Sequence, residues 1–80
     1  MMGYPNPAHY EILFTMEAGE KAVLDYNYSY ELRDKTGNLI KAGITNRNSI
    51  VIDVRDIPRD TYLFEVRIGK QLIQQRILLN

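Results

Sequence analysis

The residue types that carry most protein chemistry are few and scattered in this chain. His9 is the only histidine, there is no cysteine, and the only serines are Ser29 and Ser49. Neither serine lies in a Gly-x-Ser-x-Gly setting or near His9 in sequence, so the pattern of an activated serine nucleophile is absent. The glycines are dispersed, which argues against a phosphate-cradling loop. We therefore expect a solvated His9, no cofactor and no enzymatic activity.

The densest group of carboxylates is formed by Asp53, Asp56 and Asp60. Calcium binds several carboxylate oxygens at once, so a metal site is one interpretation of this group. The spacing does not match an alternating acidic loop with a central glycine, and Arg55 and Arg59 lie between the acids. Charge pairing across a turn is therefore the preferred interpretation, and we expect no metal.

Three tyrosines, Tyr26, Tyr28 and Tyr30, alternate with polar residues and would share one face of a strand. Such a row could form an aromatic platform for a sugar or a peptide. The alternation continues into the aliphatic Leu32, however, which is typical of a face that packs against a second sheet. Packing is the preferred interpretation, and carbohydrate binding stays the alternative.

Alternating apolar residues elsewhere indicate the strands that would position these groups. The clearest two runs flank a polar break at residues 56–60, and each places its large apolar residues on one face of a strand. These residues are Ile50, Ile52 and Val54 in the first run and Tyr62, Phe64 and Val66 in the second. Ile57 and Pro58 lie in the break, and proline cannot donate to a sheet ladder. We expect the chain to turn or cross over there.

The same reasoning extends to the whole chain. It predicts strands at residues 10–16, 26–33, 39–44, 50–55, 61–68 and 71–79, and turns at 34–38, 45–48, 56–60 and 69–70. Residues 17–24 are expected to form a loop that leads into a strand. The last strand places Ile73, Ile77 and Leu79 on one face and Leu72 and Leu78 on the other. The predicted fold is all-β, a small antiparallel immunoglobulin-like β-sandwich of about six or seven strands.

Length and composition limit the classes of function. With 80 residues the chain is expected to form a single domain at residues 9–80, after a proline-containing lead-in or linker at residues 1–8. The 10 basic and 10 acidic residues balance, which argues against nucleic-acid binding and gives no reason to invoke a membrane surface. No apolar run approaches the ~20 residues of a membrane helix. No signal peptide is evident, so the chain is expected to be cytosolic or cut from a longer precursor.

Several short segments of the chain occur in an order that is typical of one family. They are Tyr4-Pro5-Asn6-Pro7, the segment from Tyr30 through Asp34 and Gly37 to Lys41, the segment from Ile52 through Asp53 to Pro58, Thr61-Tyr62, and the basic-apolar tail Arg76-Ile77-Leu78. In this order and spacing, over nearly all of the chain, they resemble the type A C-terminal sorting domain of the type IX (Por) secretion system of Bacteroidetes.

The resemblance implies a non-catalytic immunoglobulin-like domain that lies behind a secreted cargo and is recognised by the outer-membrane export machinery. It implies a location from the periplasm to the cell surface or medium, as part of a longer precursor. It makes the last strand the expected recognition element, and we expect no small-molecule substrate and no nucleic acid. If the chain is instead a protein-interaction module, an edge-strand homodimer is a further expected partner. The candidate recognition or family-motif residues, called the motif residues below, are Pro5, Asn6, Pro7, Asp34, Gly37, Asp53, Tyr62, Arg76 and Ile77.

Three positions depart from the family pattern. Arg33 stands where the family usually has an aromatic residue, and Gln74-Gln75-Arg76 stands where lysines are common. Asp60 stands where the family has glycine, and aspartate would be strained there if the backbone φ angle were positive. These departures keep an alternative open, a structural or protein-interaction immunoglobulin-like module of a cell-surface or periplasmic protein.

Overall fold

The structure, a computed structural model, describes residues 11–15 and 23–80. These residues form strands and no helix, so none of them belongs to a helix that could cross a membrane. The strands are β1 (Glu11–Thr15), β2 (Val23–Asp34), β3 (Leu39–Arg47), β4 (Ser49–Asp53), β5 (Thr61–Ile68) and β6 (Gln71–Leu78). His9 and the lead-in at residues 1–8 lie outside the described residues.

The strands form two antiparallel sheets that stack into a small sandwich. One sheet is the pair β1–β4, and the other has the order β3–β2–β5–β6. Ile12 pairs with Ile52 in the small sheet, whereas Leu32 pairs with Phe64 at the centre of the large one. Buried residues of both sheets form a single cluster, and the predicted all-β sandwich is therefore confirmed.

The two-residue alternation places the core as predicted. Along β5 the buried residues are Tyr62, Phe64 and Val66, while the residues between them are partly exposed. Each buried side chain of this size contributes roughly 1.5–3 kcal/mol before conformational entropy is subtracted. The other buried apolar residues are Ile12, Leu24, Tyr28, Leu32, Ile50, Ile52, Val54, Ile77 and Leu79. Of the two faces of the last strand, the one with Ile73 and Ile77 packs on the core, and the one with Leu72 and Leu78 is exposed.

Two strands are longer than the sequence predicted. The predicted turn at residues 45–48 is wrong, because Thr45 and Arg47 belong to β3 and only Asn48 separates β3 from β4. The physical reason is that β2 begins at Val23, which gives the polar end of β3 a partner: Thr45 pairs with Tyr28, and Arg47 pairs with Val23. The Tyr28 hydroxyl also donates a hydrogen bond to the Arg47 carbonyl. Residues 16–22, most of the predicted loop, lie outside the described residues.

The polar break at residues 56–60 is a crossover between sheets. β4 belongs to the small sheet and β5 to the large one, so residues 54–60, called the crossover below, carry the chain from one layer to the other. Pro58 lies within it, as the sequence predicted. A crossover leaves backbone carbonyls without sheet partners, and these need donors from side chains.

Tyr30 packs directly over the backbone of β3. Its partner across the β2–β3 pair is Gly43, and a Cβ atom added at Gly43 would come within 2.8 Å of the Tyr30 ring atom Cε2. The ring also lies 6.2 Å from the ring of Phe64, centre to centre. Glycine is therefore needed here because an aromatic ring occupies the space of a side chain.

We predict that Gly43→Ala lowers the free energy of unfolding by about 1–3 kcal/mol, because the added methyl group displaces the Tyr30 ring from its place beside Phe64. Urea unfolding followed by far-UV circular dichroism measures this. The control is Ala42→Ser, an exposed neighbour on the opposite face of β3, for which the change should stay within about 0.5 kcal/mol. Equal effects of the two substitutions would contradict the packing described here.

Candidate recognition surface

The structure places the described motif residues at three positions. Pro5, Asn6 and Pro7 lie outside the described residues. Asp34 and Gly37 lie at the turn between β2 and β3, Asp53 and Tyr62 lie at the two ends of the crossover, and Arg76 and Ile77 lie on β6. These residues do not converge on one point, so each position is described separately.

The β2–β3 turn is organised by the Asp34 carboxylate. Its Oδ1 atom accepts hydrogen bonds from the backbone N–H groups of Thr36 and Asn38, each at 2.9 Å, and from the Thr36 hydroxyl at 2.8 Å. The side-chain amide of Asn38 donates to Oδ2 at 3.1 Å. Gly37 takes the positive φ angle of 93° that the turn requires, as predicted. The Thr36 hydroxyl and the other donors hold the pKa of Asp34 at about 2, below its ordinary 3.8.

Asp53 has the same kind of role at the start of the crossover. Its carboxylate accepts the Arg55 backbone N–H at 3.0 Å and pairs with the Arg55 guanidinium at 2.9 Å. These bonds, the side-chain ones first, lower the pKa of Asp53 to about 2. Both motif aspartates therefore bind backbone donors where the chain leaves a strand, which is an ordinary use of aspartate in turns.

Tyr62 closes the other end of the crossover. Its ring is buried, and its hydroxyl donates a 2.6 Å hydrogen bond to the carbonyl of Pro58, four residues earlier. Burial raises the pKa of this hydroxyl, so it stays a neutral donor. The arrangement is like the tyrosine corner of immunoglobulin-type sandwiches, in which a tyrosine near the start of a strand bonds to the backbone just upstream.

Two cations donate hydrogen bonds to further carbonyls at the crossover, a role that the sequence did not predict for either of them. Lys41 of β3 reaches across to the Asp53 carbonyl at 2.8 Å and to the Asp56 carboxylate at 2.9 Å. Arg59 donates to the carbonyls of Val54 and Ile57, the latter at 3.0 Å. Lys41 pairs with the inward-facing Leu32, so a charged residue lies on the inner face of β3. This is the one feature that could have pointed to a structural role for Lys41.

The three aspartates that a calcium site would group together each pair with a different cation. Asp53 pairs with Arg55, Asp56 pairs with Lys41, and Asp60 pairs with Lys35 at 3.1 Å. Within residues 11–15 and 23–80 no three histidine, cysteine or acidic residues are grouped as metal ligands would be. Charge pairing is the correct interpretation, and Asp53 pairs with an arginine of the crossover itself.

The three tyrosines do not form a binding platform. Tyr28 is buried in the core and Tyr30 is partly buried against it, whereas Tyr26 is 43% exposed. A sugar-binding platform needs several ring faces open to solvent. The packing interpretation is therefore correct for Tyr28 and Tyr30, and the carbohydrate hypothesis fails.

β6 presents its two motif residues in opposite directions. Ile77 is buried and pairs with Tyr62, so it belongs to the core. Arg76 pairs with Leu63 and is exposed on the outer face of the large sheet. It makes no hydrogen bond or ion pair with any residue that the structure describes. Among the described motif residues, Arg76 is the one whose side chain is turned to solvent without a partner.

A charged network lies on the outer face of the large sheet beside Arg76. Glu31 and Glu65 are directly opposite each other on β2 and β5, a pairing that would be repulsive by itself. Arg33 bridges them, with a 2.8 Å contact to Glu31 and a 3.4 Å contact to Glu65. Gln74 of β6 donates to Glu65 at 2.6 Å. Glu31 and Glu65 are therefore already bound within the molecule.

A groove of about 490 Å³ opens on the same outer face, next to the β2–β3 turn. The residues that line it are Arg33, Asp34, Lys35, Gly37, Thr61, Tyr62, Leu63 and Arg76. The sequence alone does not predict this groove, because residues from β2, β5 and β6 are brought together only by the strand order.

Comparison with known families identifies the family of this chain. The sequence profile of the secretion system C-terminal sorting domain matches residues 3–80. The chain belongs to this family. No curated protein and no solved structure was found to match it.

Domains of this family are C-terminal sorting signals for type IX secretion, and the family is one of sorting signals rather than of catalysts. Such a signal implies contact with the type IX machinery, a cargo on its N-terminal side and export across the outer membrane. The sorting domain described here thus has the family and the sorting function that its ordered motifs indicated.

Two departures of this sorting domain from the family pattern have a structural explanation. Arg33, in place of an aromatic residue, joins Glu31 and Glu65 across the sheet. Asp60, in place of glycine, needs no left-handed backbone, since no non-glycine residue in the described part of the chain has a positive φ angle. Its carboxylate accepts the Thr61 N–H at 2.7 Å and pairs with Lys35.

We predict that Tyr62→Phe lowers the free energy of unfolding by about 1–2 kcal/mol, because the Pro58 carbonyl loses its donor while the buried ring stays. Thermal and urea unfolding measure the change. The matched control is Tyr26→Phe, since the Tyr26 hydroxyl makes no hydrogen bond with a described residue. A loss in Tyr26→Phe as large as that in Tyr62→Phe would show that the corner bond is not responsible.

A second prediction concerns pH. The pKa of Asp34 is lower in the folded domain than in the unfolded chain, so its bonds stabilise the fold above the unfolded pKa and are lost as the pH falls towards about 2. Asp34→Asn should therefore be less stable than wild type near neutral pH, and the difference should shrink between about pH 5 and about pH 2. Urea midpoints at several pH values measure this. The pKa of Asp53 is also lowered, so the stability of the variant keeps part of the wild-type pH dependence.

The control for this pH prediction is Asp25→Asn. Asp25 is exposed and makes no hydrogen bond or ion pair with the residues that the structure describes. The curve of this variant should follow that of wild type. A difference between Asp34→Asn and wild type that stays constant across the pH range would contradict a role for the ionised carboxylate.

Proposed function

We propose that the export machinery recognises this sorting domain on the outer face of the large sheet at β6, with Arg76 as the main contact. One observation supports this most. Asp34, Gly37, Asp53, Tyr62 and Ile77 close turns or fill the core, whereas Arg76 is exposed and has no partner among the described residues. A side chain that does nothing for the fold is the one available to a partner.

The position of Arg76 on an edge strand adds to this proposal. In the described part of the chain β6 pairs only with β5, so it forms one edge of the large sheet. Edge strands can extend the sheet of a partner through main-chain hydrogen bonds, and side chains on the strand then supply specificity. An arginine is suited to this because its planar guanidinium binds carboxylates through two parallel hydrogen bonds.

The proposal also covers the route of export and the motif residues Pro5, Asn6 and Pro7. The domain folds in the periplasm, presents β6 to the outer-membrane machinery, and reaches the cell surface or the medium with its cargo. Pro5, Asn6 and Pro7 form the junction with that cargo at residues 1–8, before a single domain at residues 9–80. Proline removes backbone donors and keeps a segment extended, which suits a spacer between two folded units. The domain carries out no reaction in this process.

Self-association is a second candidate, through the other edge of the large sheet. β3 is nine residues long, and Ile44 on it is 74% exposed. An edge strand with an exposed aliphatic side chain is suited to pairing with a second copy. Sedimentation equilibrium tests this. A dimer that Ile44→Thr abolishes would support it, and a monomer at millimolar concentration would contradict it.

Export of a reporter tests the main proposal. A reporter with a signal peptide is joined to residues 1–80 in a bacterium with a working type IX system, and external and periplasmic reporter are compared. Wild type should be exported. Arg76→Glu should retain the reporter, and Arg76→Gln should lower export about 10-fold, since loss of a charged hydrogen bond costs about 1.5–3 kcal/mol of binding.

The control variant in this experiment is Arg67→Gln, which removes another exposed arginine, on β5. It should leave export close to wild type. Circular dichroism confirms that each variant is folded. Retention of the wild-type fusion, or normal export of Arg76→Glu, would contradict the proposed recognition surface.

A further inference from the structure

We infer that an extended strand of the export machinery pairs with the free edge of β6 through the main chain of Leu72, Gln74 and Arg76. The inference rests on the proposed function, and it adds the kind of partner and the groups that bind it. The proposed function needs only the Arg76 side chain, whereas a strand that adds to β6 uses the backbone N–H and C=O groups of alternate residues.

One backbone hydrogen bond fixes which groups of β6 point to its free edge. The N–H of Leu79 donates to the carbonyl of Asp60 at 2.9 Å, and these two residues continue the register of β5 and β6 by one step. In an antiparallel pair of strands, hydrogen-bonded and non-hydrogen-bonded residue pairs alternate. The odd-numbered residues of β6 therefore bond to β5, and the even-numbered residues direct their N–H and C=O groups away from it.

The turn between β5 and β6 agrees with this assignment. It consists of Gly69 and Lys70, between the paired ends of the two strands. Gly69 has a positive φ angle of 57°, which suits the tight turn of a two-residue hairpin. Such a turn is closed by a hydrogen bond from the N–H of its fourth residue, here Gln71, to the carbonyl of its first, here Ile68. These two residues are then a hydrogen-bonded pair, as the alternation from Leu79 requires.

The free edge of β6 lacks the features that usually keep a strand from pairing further. Such edges are commonly protected by proline, by bulges or by several charged residues. β6 contains no proline, its register with β5 is unbroken, and Arg76 is its only charged residue. Leu72, Gln74 and Arg76 have no other main-chain partner in the part of the chain that the structure describes. Their main-chain groups are therefore open to another strand.

The side chains of the same three residues determine what the partner strand carries. Leu72, Gln74 and Arg76 are exposed on the outer face of the large sheet, and Leu72 is 44% exposed. Side chains directly opposite each other on neighbouring strands are about 4.5–5.5 Å apart and interact. The partner strand therefore has an apolar residue opposite Leu72, and the residue opposite Arg76 lies four positions away on the same face of that strand. The main-chain bonds hold the strand, and the contact with Leu72 sets its register.

Hydrogen exchange of the ¹⁵N-labelled 80-residue chain tests the assignment of the edge. After correction for intrinsic rates, the amides of Leu72, Gln74 and Arg76 should exchange at least about 10-fold faster than those of Ile73 and Gln75, which donate to β5. Equal protection of the two sets would overturn the inference, because no free donors would be left for a partner. The measurement uses the wild-type chain, so it does not depend on how a variant folds.

Proline at position 74 tests whether export uses the edge. Gln74→Pro removes a donor that points away from β5, so the ladder between β5 and β6 keeps its bonds. Export of the reporter should be about 10-fold lower than with the matched control Gln74→Ala, because the partner strand loses a hydrogen bond and meets the proline ring. Both variants lose the side-chain bond to Glu65, so the difference between them reports the main-chain donor.

Equal export of Gln74→Pro and Gln74→Ala would overturn the inference. Circular dichroism verifies that both variants are folded. Leu72→Pro removes another free donor of the same edge, and its export should be lower than that of Leu72→Ala in the same way. A wild-type dimer in sedimentation equilibrium that Gln74→Pro converts to a monomer would also overturn the inference, because the edge would then pair with a second copy of this chain.

The two sets of variants separate this inference from the proposed function. If Arg76→Glu is retained in the periplasm but Gln74→Pro is exported like Gln74→Ala, the recognition surface stands and strand pairing is wrong. If Gln74→Pro is retained but Arg76→Glu is exported normally, the edge binds the machinery through its main chain, and the proposed role of the Arg76 side chain is wrong.

Discussion

Phe64 lies where the two sheets of this sorting domain meet, and its packing is the interaction on which the rest of the structure depends. It is almost fully buried, and its ring is 5.4 Å from that of Phe14 in the small sheet and 6.2 Å from that of Tyr30 in the large one. Aromatic pairs at these distances add to the free energy gained from burial. A two-stranded sheet has few residues with which to cover a four-stranded one, so large rings are useful at the contact because each buries a large area.

Because the hydrophobic core is small, polar residues have a structural role in the turns. A small domain buries a low fraction of its surface, so its connections cannot rely on burial and need hydrogen bonds of their own. The Asp34 carboxylate accepts backbone N–H groups of the β2–β3 turn. Tyr62, Lys41 and Arg59 donate hydrogen bonds to backbone carbonyls at the crossover. The motif aspartates and tyrosine that resemble a functional site are, in this domain, the parts that hold its turns. What identifies the family in the sequence is therefore largely what folds it.

The parts of the fold that depend on local pattern could be predicted from the sequence. The alternation in β5 and the Asp34–Gly37 turn are examples, because strand faces and turn residues are decided by neighbours in the chain. The end of β3 could not be predicted, since the polar residues Thr45 and Arg47 become a strand only when β2 lies beside them. The same holds for the ion pairs: Asp56 pairs with Lys41, which lies 15 residues away in the sequence. The groove needs the strand order, which no local pattern contains.

The departure at Arg33 has a consequence for the surface that the export machinery would meet. Glu65 lies diagonally across the sheet from Arg76, within reach of a long side chain. If Glu65 had no other partner, it would attract the Arg76 guanidinium and hold it against the sheet. Arg33 and Gln74 bind both oxygens of Glu65 instead, at 3.4 and 2.6 Å. An arginine in place of the usual aromatic residue thus binds both glutamates, and Arg76 is left without an ion pair among the described residues.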